Sequence, residues 1–201
     1  MDYAGGMASQ AERRAATSGA ILRAAESLFA DHGFAATTVE DIAAEAGVAK
    51  GALYNHFPTK EAVFERVFEA TSQALVQRVA AASVKGTDIL EGMVLGAQEY
   101  FTACAEPGLG AIILKDGPKV LGWERWREID LKYFGAMIPA AIRAAMNQGL
   151  IAGQPVEPLG RLITGAVTEA AVASAGSDDP ARTGAEHVQA LAAILNVLRA
   201  R

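Results

Sequence analysis

The chain has little of what an oxidised, metal-binding or catalytic protein needs. Its 201 residues include one cysteine, Cys104, and three histidines, His32, His56 and His187. A single cysteine excludes an internal disulfide and is typical of a reducing compartment such as the cytoplasm. The histidines are widely spaced and match no HExxH or other metal-binding pattern, and no glycine-rich phosphate loop occurs. We therefore expect no enzymatic activity, no cofactor and no metal.

Long hydrophobic runs and strand-like patterns are also missing. No apolar run approaches the ~20 residues of a membrane span, and residues 1–10 lack the basic and apolar regions of a signal peptide. The one Asp-Gly pair, Asp116–Gly117, precedes Pro118 and indicates a helix break rather than a hairpin. Alanine is abundant, and valine and isoleucine do not cluster in the alternating runs that are typical of strands. These features favour an all-α protein of about nine helices.

Positive charge is scarce as well. The net charge of −5 argues against a protein that coats nucleic acid without sequence preference. Residues 1–60 carry five lysines and arginines against seven acidic residues. If this part binds DNA, its cations must gather on one face and backbone amides must contribute. The affinity should still fall with salt, because each phosphate contact releases counterions.

Residues 37–60 have the layout of a helix-turn-helix, whose second helix enters the DNA major groove. Thr38 is a good N-cap for the first helix, with Glu40 and Asp41 in its first turn, and Gly47 makes the tight turn. Pro58 ends the second helix. This helix offers a cation, a small residue and three polar tips: Lys50, Gly51, Tyr54, Asn55 and His56. Its inward residues are Leu53 and Phe57.

Further helices follow from apolar periodicity and from caps. The first helix begins at Ser9 or Thr17 and ends near Gly33. Thr59 caps a fourth helix that runs to about Ser83. Later helices are expected over residues 87–105, 123–148, 158–175 and 181–199. Pro139 should kink the helix over 123–148.

The segments Thr-Val-Glu-Asp-Ile-Ala (38–43), Ala-Gly-Val (46–48), Lys-Gly-Ala-Leu-Tyr-Asn-His-Phe (50–57) and Thr-Lys-Glu (59–61) resemble the TetR family of bacterial transcriptional repressors (TetR/AcrR type). Leu-Arg-Ala-Ala (22–25), Leu-Phe (28–29) and Gly-Phe (33–34) look like that family's first helix. The strong match covers roughly residues 17–68. Residues 87–201 match mainly in length and helical pattern, and residues 118–130 look like a stretch common in actinobacterial members.

The resemblance implies a three-helix head with a helix-turn-helix and a C-terminal helical domain that binds ligand and dimerises. We divide the chain accordingly. Residues 1–16 are an expected disordered leader, residues 17–62 the DNA-binding domain, and residues 63–201 the ligand-binding and dimerisation domain.

The resemblance also gives nine positions a part in DNA binding: Thr37, Thr38, Lys50, Gly51, Ala52, Tyr54, Asn55, His56 and Lys60. Lys50 and Gly51 correspond to positions near the bases, and Tyr54 and His56 to residues that hold phosphates. Lys60 corresponds to a phosphate clamp aided by the dipole of the fourth helix.

For the other positions the resemblance implies a less definite role in DNA binding. Thr37 and Thr38 match positions that often touch backbone phosphates, and Asn55 can in principle pair with adenine. Family members often have Ser or Thr where this chain has Ala49 and Ala52. Both hydroxyl contacts are missing here, although Ala52 can touch a thymine methyl. The operator sequence is therefore not inferable from the family.

Plain structural interpretations stand beside these functional ones. Lys50, Tyr54 and His56 can form an ordinary solvated helix face. Gly51 costs a helix about 1 kcal/mol relative to Ala, which either close approach to DNA or tight helix packing can explain. Thr38 can act as a cap and touch DNA at once.

In the second domain, seven apolar residues are candidates for a ligand cavity: Met93, Tyr100, Phe101, Trp123, Trp126, Phe134 and Met137. Glu99 and Asp116 are candidate polar anchors. The alternatives are ordinary core packing for the seven and surface exposure for the two acids. A mostly apolar pocket with a few polar tips is the usual form of a small-molecule site.

A dimer interface of four helices, two from each copy, is expected at the last two helices. Its candidates combine small residues with an apolar stripe: Gly165, Thr168, Ala171, Val188, Leu191 and Leu195. Packing within one chain is the alternative.

Taken together, these features indicate a ligand-responsive homodimeric repressor. It would bind a palindromic operator in double-stranded DNA and be released by a small, largely apolar effector. We expect it in the bacterial cytoplasm, associated with the nucleoid when bound to DNA. The alternative is a helical protein-interaction module whose head no longer reads DNA, against which the intact Lys50, Tyr54, His56 and Lys60 speak.

Overall fold

The computed structural model describes the backbone of residues 3–200 and the side chains of residues 9–200. Within these ranges the fold is all-α, as the sequence predicts, and the one β-type pairing is an isolated bridge between Ile151 and Arg199. No helix in the described part is long and apolar enough to cross a membrane. In chain order the helices are α1 (Tyr3–Ala36), α2 (Val39–Glu45), α3 (Lys50–His56), α4 (Lys60–Ser83), α5 (Ile89–Ala105), α6 (Pro107–Gly110), a π-helical segment (Ala111–Asp116), α7 (Gly117–Phe134), α8 (Met137–Asn147), α9 (Val156–Ala175) and α10 (Pro180–Val197).

Helices α1 to α3 form a head around the first turns of α4. Ile42 of α2 and Leu53 of α3 are fully buried in its core. Beside them Phe64 of α4 contacts Phe29 and Phe34 edge-on, with ring centroids 5.3 and 5.2 Å apart. Such edge-to-face contacts add to the stabilisation that burial alone provides. The head is therefore anchored to α4 by an aromatic cluster.

Helix α1 changes direction at Gly33, where the sequence predicts its end. The φ of this residue is 79°, in the left-handed region that glycine adopts without a steric penalty. The break turns Phe34 into the aromatic cluster. It also leaves carbonyl groups at the end of the regular helix in need of other donors.

Helix α1 begins earlier than either predicted start, Ser9 or Thr17. It begins at Tyr3, so the expected disordered leader over residues 1–16 is helical where the structure describes it. Residues 1 and 2 lie outside the described residues. Residues 8–16 contain four alanines and two arginines, which are strong helix formers. The Arg13 side chain donates to the Ser9 carbonyl at 3.1 Å one turn earlier.

Helix α4 links the head to the rest of the chain, and α5 is the centre of that second part. Thr59 caps α4 by accepting a hydrogen bond from the Ala62 amide at 3.1 Å, as predicted. Asp88 caps α5 in the same way, accepting from the Glu91 amide at 2.9 Å. Helix α5 then packs along α4 and against α8, α9 and α10.

The prediction of a single kinked helix over residues 123–148 is wrong. The chain there forms α7 and α8, which are separated at Gly135 and Ala136. Pro139 lies in the first turn of α8, where a backbone amide has no intrahelical acceptor, so the proline causes no kink.

The helix break expected at Asp116–Gly117 also lies elsewhere. Gly117 has helical angles, and the break falls at Gly122, whose φ is 74°.

Candidate DNA-binding surface and ligand cavity

The turn between α2 and α3 is built by local signals. Thr38 and Asp41 form a reciprocal capping box, in which the Asp41 amide donates to Thr38 Oγ1 at 3.1 Å and the Thr38 amide donates to Asp41 Oδ2 at 2.9 Å. These Thr38 donors hold the pKa of Asp41 below its ordinary value. Gly47 then reverses the chain with a φ of 66°. This geometry fixes α3 relative to α2.

One face of α3 is anchored in the core and the opposite face is free. Leu53 is fully buried, and Phe57 just beyond the helix is nearly so. The free face holds most of the predicted DNA-contact residues of α3. Lys50, Gly51, Tyr54 and Asn55 are exposed, and Ala52 and His56 are half-buried at its edges.

Gly51 sits in open space. A Cβ atom built at this position would meet no other heavy atom within 4 Å. The alternative interpretation of Gly51, tight packing against another helix, is therefore excluded. Its lack of a side chain leaves the α3 backbone open to close approach by a partner.

Lys50 is held in an ion pair across the two helices. Its ammonium group donates to the Glu40 carboxylate and lies 5.9 Å from the centroid of the Tyr54 ring. The hydrogen bond from Lys50 lowers the pKa of Glu40, and the same bond raises the pKa of Lys50. Both side chains are more than half exposed, so water and salt screen the pair. Lys50 can therefore exchange Glu40 for a phosphate at little cost.

Two predicted DNA-contact residues turn inward instead. Lys60 Nζ donates to the carbonyls of Phe34 and Thr37, both at 2.8 Å, and lies 4.1 Å from the centroid of the Phe34 ring. Thr37 is 2% exposed, and its hydroxyl donates to the carbonyls of Leu28 and Gly33. Both side chains supply hydrogen bonds that the end of α1 lacks after its break at Gly33. Their structural role departs from the predicted phosphate contacts.

Thr38, by contrast, remains exposed. Its hydroxyl belongs to the capping box, as the sequence predicts. It stays on the same side of the head as the start of α3, where the cap and a backbone contact are compatible.

The second half of the chain contains a cavity of about 680 Å³. Helices α4, α5, α7, α8, α9 and α10 contribute to its walls. Four of the seven predicted lining residues are brought together there: Met93, Tyr100, Phe134 and Met137. A volume in this range suits a small molecule, and the lining is mostly apolar.

The other three predicted lining residues lie elsewhere. Phe101 is buried beside His187, because its position on α5 turns it toward α10. Trp123 is 67% exposed, and its ring lies 5.1 Å from that of Trp126. Trp126 itself is buried outside the cavity. Ordinary core packing is thus the role of Phe101 and Trp126, and Trp123 is a surface residue.

The two predicted polar anchors do not line the cavity. Glu99 accepts a hydrogen bond from Arg78 at 2.8 Å. Asp116 accepts one from the Phe34 amide at 2.8 Å, which joins the π-helical segment to the head. The acids that line the cavity are Asp88, just before α5, and Asp130 on α7, both of which the sequence analysis missed. For Asp130 the available signal was its spacing of four residues before Phe134 on the same helix.

The predicted dimer residues are divided between the interior and the surface. Ala171, Leu191 and Leu195 are buried within the chain, because α9 and α10 pack on α5 and on each other. Thr168 and Val188 are half-buried, and Gly165 is exposed. Exposed apolar residues missed from the sequence lie on the outer faces of the same two helices: Leu162, Val172, Ile194 and Val197.

Within the described residues no group of three or more His, Cys, Asp and Glu side chains is arranged to hold a metal ion. Cys104 is buried, and burial raises the pKa of its thiol to about 12. A thiol in that environment is a weak nucleophile.

Comparison with known proteins covers both parts of the chain. Residues 21–67 match the family described as "Bacterial regulatory proteins, tetR family", and residues 90–198 match "Tetracyclin repressor-like, C-terminal domain". A solved TetR-family transcriptional regulator from Pectobacterium atrosepticum has the same fold, with a TM-score of 0.82 and 28% identity over 94% of this chain and 97% of that one.

Curated relatives match the chain over shorter segments. The HTH-type transcriptional repressor KstR2 of Mycolicibacterium smegmatis is 51% identical over 47 residues, which are 23% of each protein. The chain therefore spans about a quarter of that relative's length. The Tn10 TetC protein of Escherichia coli is 23% identical over 159 residues, covering 78% of this chain and 79% of that one.

Proposed function

This chain belongs to the TetR family of bacterial transcriptional regulators, and from that premise we propose that it is a repressor that binds DNA as a homodimer and is released by a small molecule. The observation that carries the proposal is the division of α3 into a buried face and a free one. Leu53 anchors the helix, and the opposite face offers a backbone without a side chain at Gly51 next to polar groups. A recognition helix needs this combination to enter a major groove.

The DNA-contacting set that we propose is smaller than the sequence suggests. It consists of Lys50, Gly51, Tyr54, Asn55 and His56, with Ala52 and Thr38 at its margin. Thr37 and Lys60 support the head from inside. With few cations available, much of the affinity must come from amides and hydroxyls. The binding should still weaken with salt through the Lys50 contact.

A dimer is supported by the outer faces of α9 and α10. Leu162 and Val172 on α9 and Ile194 and Val197 on α10 are between 46% and 85% exposed. Exposed apolar groups on two adjacent helices favour burial against a second copy of the same surface. Two heads would then meet successive half-sites of a palindromic operator, about one helical turn apart or somewhat more.

The effector would occupy the cavity, and α4 would carry its signal. Val79, Ala80 and Ser83, near the end of α4, line the cavity, while Lys60 at its start holds the end of α1. A ligand that favours one position of α4 changes the spacing of the two heads. The coupling needed is ~1–3 kcal/mol. This function places the protein in the cytoplasm.

The test is fluorescence-anisotropy binding of the full-length protein to duplex DNA from its own promoter region, against a scrambled duplex at physiological salt. Sequence-dependent binding is expected, and Tyr54→Ala should weaken it about tenfold or more, since Tyr54 is 43% exposed on the free face of α3. An unchanged thermal unfolding midpoint for the variant confirms that its head still folds. Equal, weak binding to promoter fragments and to fragments selected genome-wide would favour a protein-interaction module instead.

A further inference from the structure

The charged side chains that line the cavity are all acidic. Its described lining contains no lysine, arginine or histidine, but it contains two aspartates, Asp88 and Asp130. A ligand placed there meets these carboxylates, several hydroxyls, the Gln148 amide and apolar groups. The nature of these groups decides which head group the cavity accepts.

Asp88 is already satisfied by the protein. One carboxylate oxygen caps α5 through the Glu91 amide, and the other lies 2.7 Å from Arg199 near the end of the chain. The Glu91 amide and Arg199 together hold the pKa of Asp88 below its ordinary value. This carboxylate therefore has little capacity left for a ligand.

The Asp130 carboxylate has fewer hydrogen-bond donors than that of Asp88. Its side chain is only 13% exposed, and its one donor among the described residues is Arg127, a turn earlier on α7, at 3.2 Å from Oδ2. No described residue donates to its Oδ1. Burial raises the pKa of this carboxyl group despite the neighbouring Arg127. An incompletely paired carboxylate that is largely buried favours a partner of opposite charge.

The nearby hydroxyl groups present acceptors too. Ser83 donates its proton to the Val79 carbonyl at 2.9 Å, and Thr164 donates to the Gly160 carbonyl at 2.8 Å. Their lone pairs remain available to the cavity. Around Asp130, Ser83 and Thr164 a ligand that donates hydrogen bonds is matched better than one that accepts them, and the Gln148 amide can serve either kind.

We infer that the cavity selects a compact apolar molecule bearing a cationic nitrogen, which pairs with Asp130, and that it disfavours carboxylates and phosphorylated ligands. The inference rests on the proposed role of the cavity as the effector site. An anionic head group beside Asp130 would bring two like charges together where water screens them poorly. The volume of about 680 Å³ accommodates a bicyclic or comparable apolar body.

The experiment uses three probes with one skeleton: 1-naphthylmethylamine, 1-naphthalenemethanol and 1-naphthoic acid. Isothermal titration calorimetry with the full-length protein measures each affinity at pH 7. We expect the amine to bind at least about tenfold more tightly than the acid, with the alcohol between them, because hydrogen bonds between oppositely charged groups are the strong ones.

Asp130→Asn removes the charge with little change of shape. It should bring the affinity for the amine to that for the alcohol, while the affinity for the alcohol stays as in the wild type. Glu124→Gln is the matched control, since Glu124 is an exposed acid on the same helix outside the cavity. It should leave all three affinities unchanged.

Three results would overturn the inference: an acid that binds as tightly as the amine, an Asp130→Asn variant that keeps the preference for the amine, or no binding by any probe. None of them affects DNA binding by the free protein, which tests the proposed function separately. Conversely, an amine preference that depends on Asp130 in a protein that binds no operator would contradict the repressor and leave the ligand chemistry standing.

Discussion

At the scale of single residues, the role of a side chain in the head depends on whether the end of α1 needs it. Lys60 and Thr37 match family positions that meet phosphates. Here the Lys60 ammonium group donates to the carbonyls of Phe34 and Thr37, and the Thr37 hydroxyl donates to those of Leu28 and Gly33. These carbonyls lie in the last turns of α1 or at the residue that follows it. Lys60 therefore positions the head, and Lys50 is the lysine on its free face.

Gly51 gives a prediction at this scale. Gly51→Ala should stabilise the protein by up to about 1 kcal/mol, since alanine is the better helix former and the new methyl group meets no atom of the chain. The same methyl group should weaken operator binding about tenfold or more, because it projects from the free face of α3. Urea unfolding and fluorescence anisotropy measure the two effects.

Gly153→Ala is the control, as Gly153 is also surrounded by open space but lies in the loop between α8 and α9. It should leave operator binding unchanged. A Gly51→Ala variant that is more stable and binds the operator normally would show that α3 does not approach DNA at this position.

At the scale of elements, ion pairs connect α4 to α7. Lys132 on α7 lies 2.8 Å from Glu69 on α4, whose other oxygen is 2.7 Å from Arg66. Arg125, one turn before Ile129, makes a similar pair with Glu65 at 2.5 Å. Because Glu69 is a nearly buried carboxylate, these contacts matter more than ordinary surface pairs.

The α4–α7 pairs make stability depend on pH. The hydrogen bond from Lys132 holds the pKa of Glu69 below its ordinary value of 4.5, so the pair stabilises the fold above that pH. The contribution should be lost as the pH falls from about 4.5 through the lowered pKa of the folded state. We therefore expect Lys132→Met to be less stable than the wild type at pH 7, with the difference shrinking as Glu69 becomes protonated.

Urea unfolding at a series of pH values measures this difference. Lys119→Met is the control, because Lys119 is an exposed lysine of the same helix with no ion-pair partner among the described residues. A difference between wild type and Lys132→Met that does not vary with pH would mean that the lysine stem, not its charge, stabilises the contact.

At the scale of the whole molecule, α4 is the element shared by the head and the cavity. Its 24 residues span ~36 Å at 1.5 Å per residue. Its first residue holds the end of α1, and its last turns line the cavity. In the proposed mechanism a displacement at one end would reach the other through this one helix. The proposed function also requires two heads, and the outer faces of α9 and α10 are the surfaces that we propose hold two copies together.

A charge on that outer surface should separate the two copies. Ile194→Glu places a carboxylate on an apolar side chain that is 55% exposed on α10. In the proposed dimer this charge would be buried without a partner, so the variant should be monomeric by analytical ultracentrifugation. Operator binding should fall with it, because a single head contacts only one half-site.

Leu131→Glu is the matched control, since Leu131 is 50% exposed on α7, a helix that does not pack on α9 or α10. This variant should keep the oligomeric state of the wild type. If Ile194→Glu leaves a dimer intact, the copies associate through another surface.

The sequence by itself determined the helical class, the helix-turn-helix and most helix ends. The caps Thr38 and Thr59 act through hydrogen bonds to residues three positions away, and Gly33 and Gly47 act through their own backbone angles. Their effect can therefore be predicted from the local sequence. The same is true of the apolar stripes that face the core.

The tertiary structure alone decided where several candidate side chains point. Lys60 meets the end of α1 because α1 and α4 pack together, and Asp130 rather than Glu99 faces the cavity because of how α7 lies against α5. Phe101 and Trp126 have the same apolar character as Tyr100 and Phe134, but lie on other sides of their helices. Which side of a helix meets a cavity depends on neighbours distant in the chain, and no local pattern contains that information.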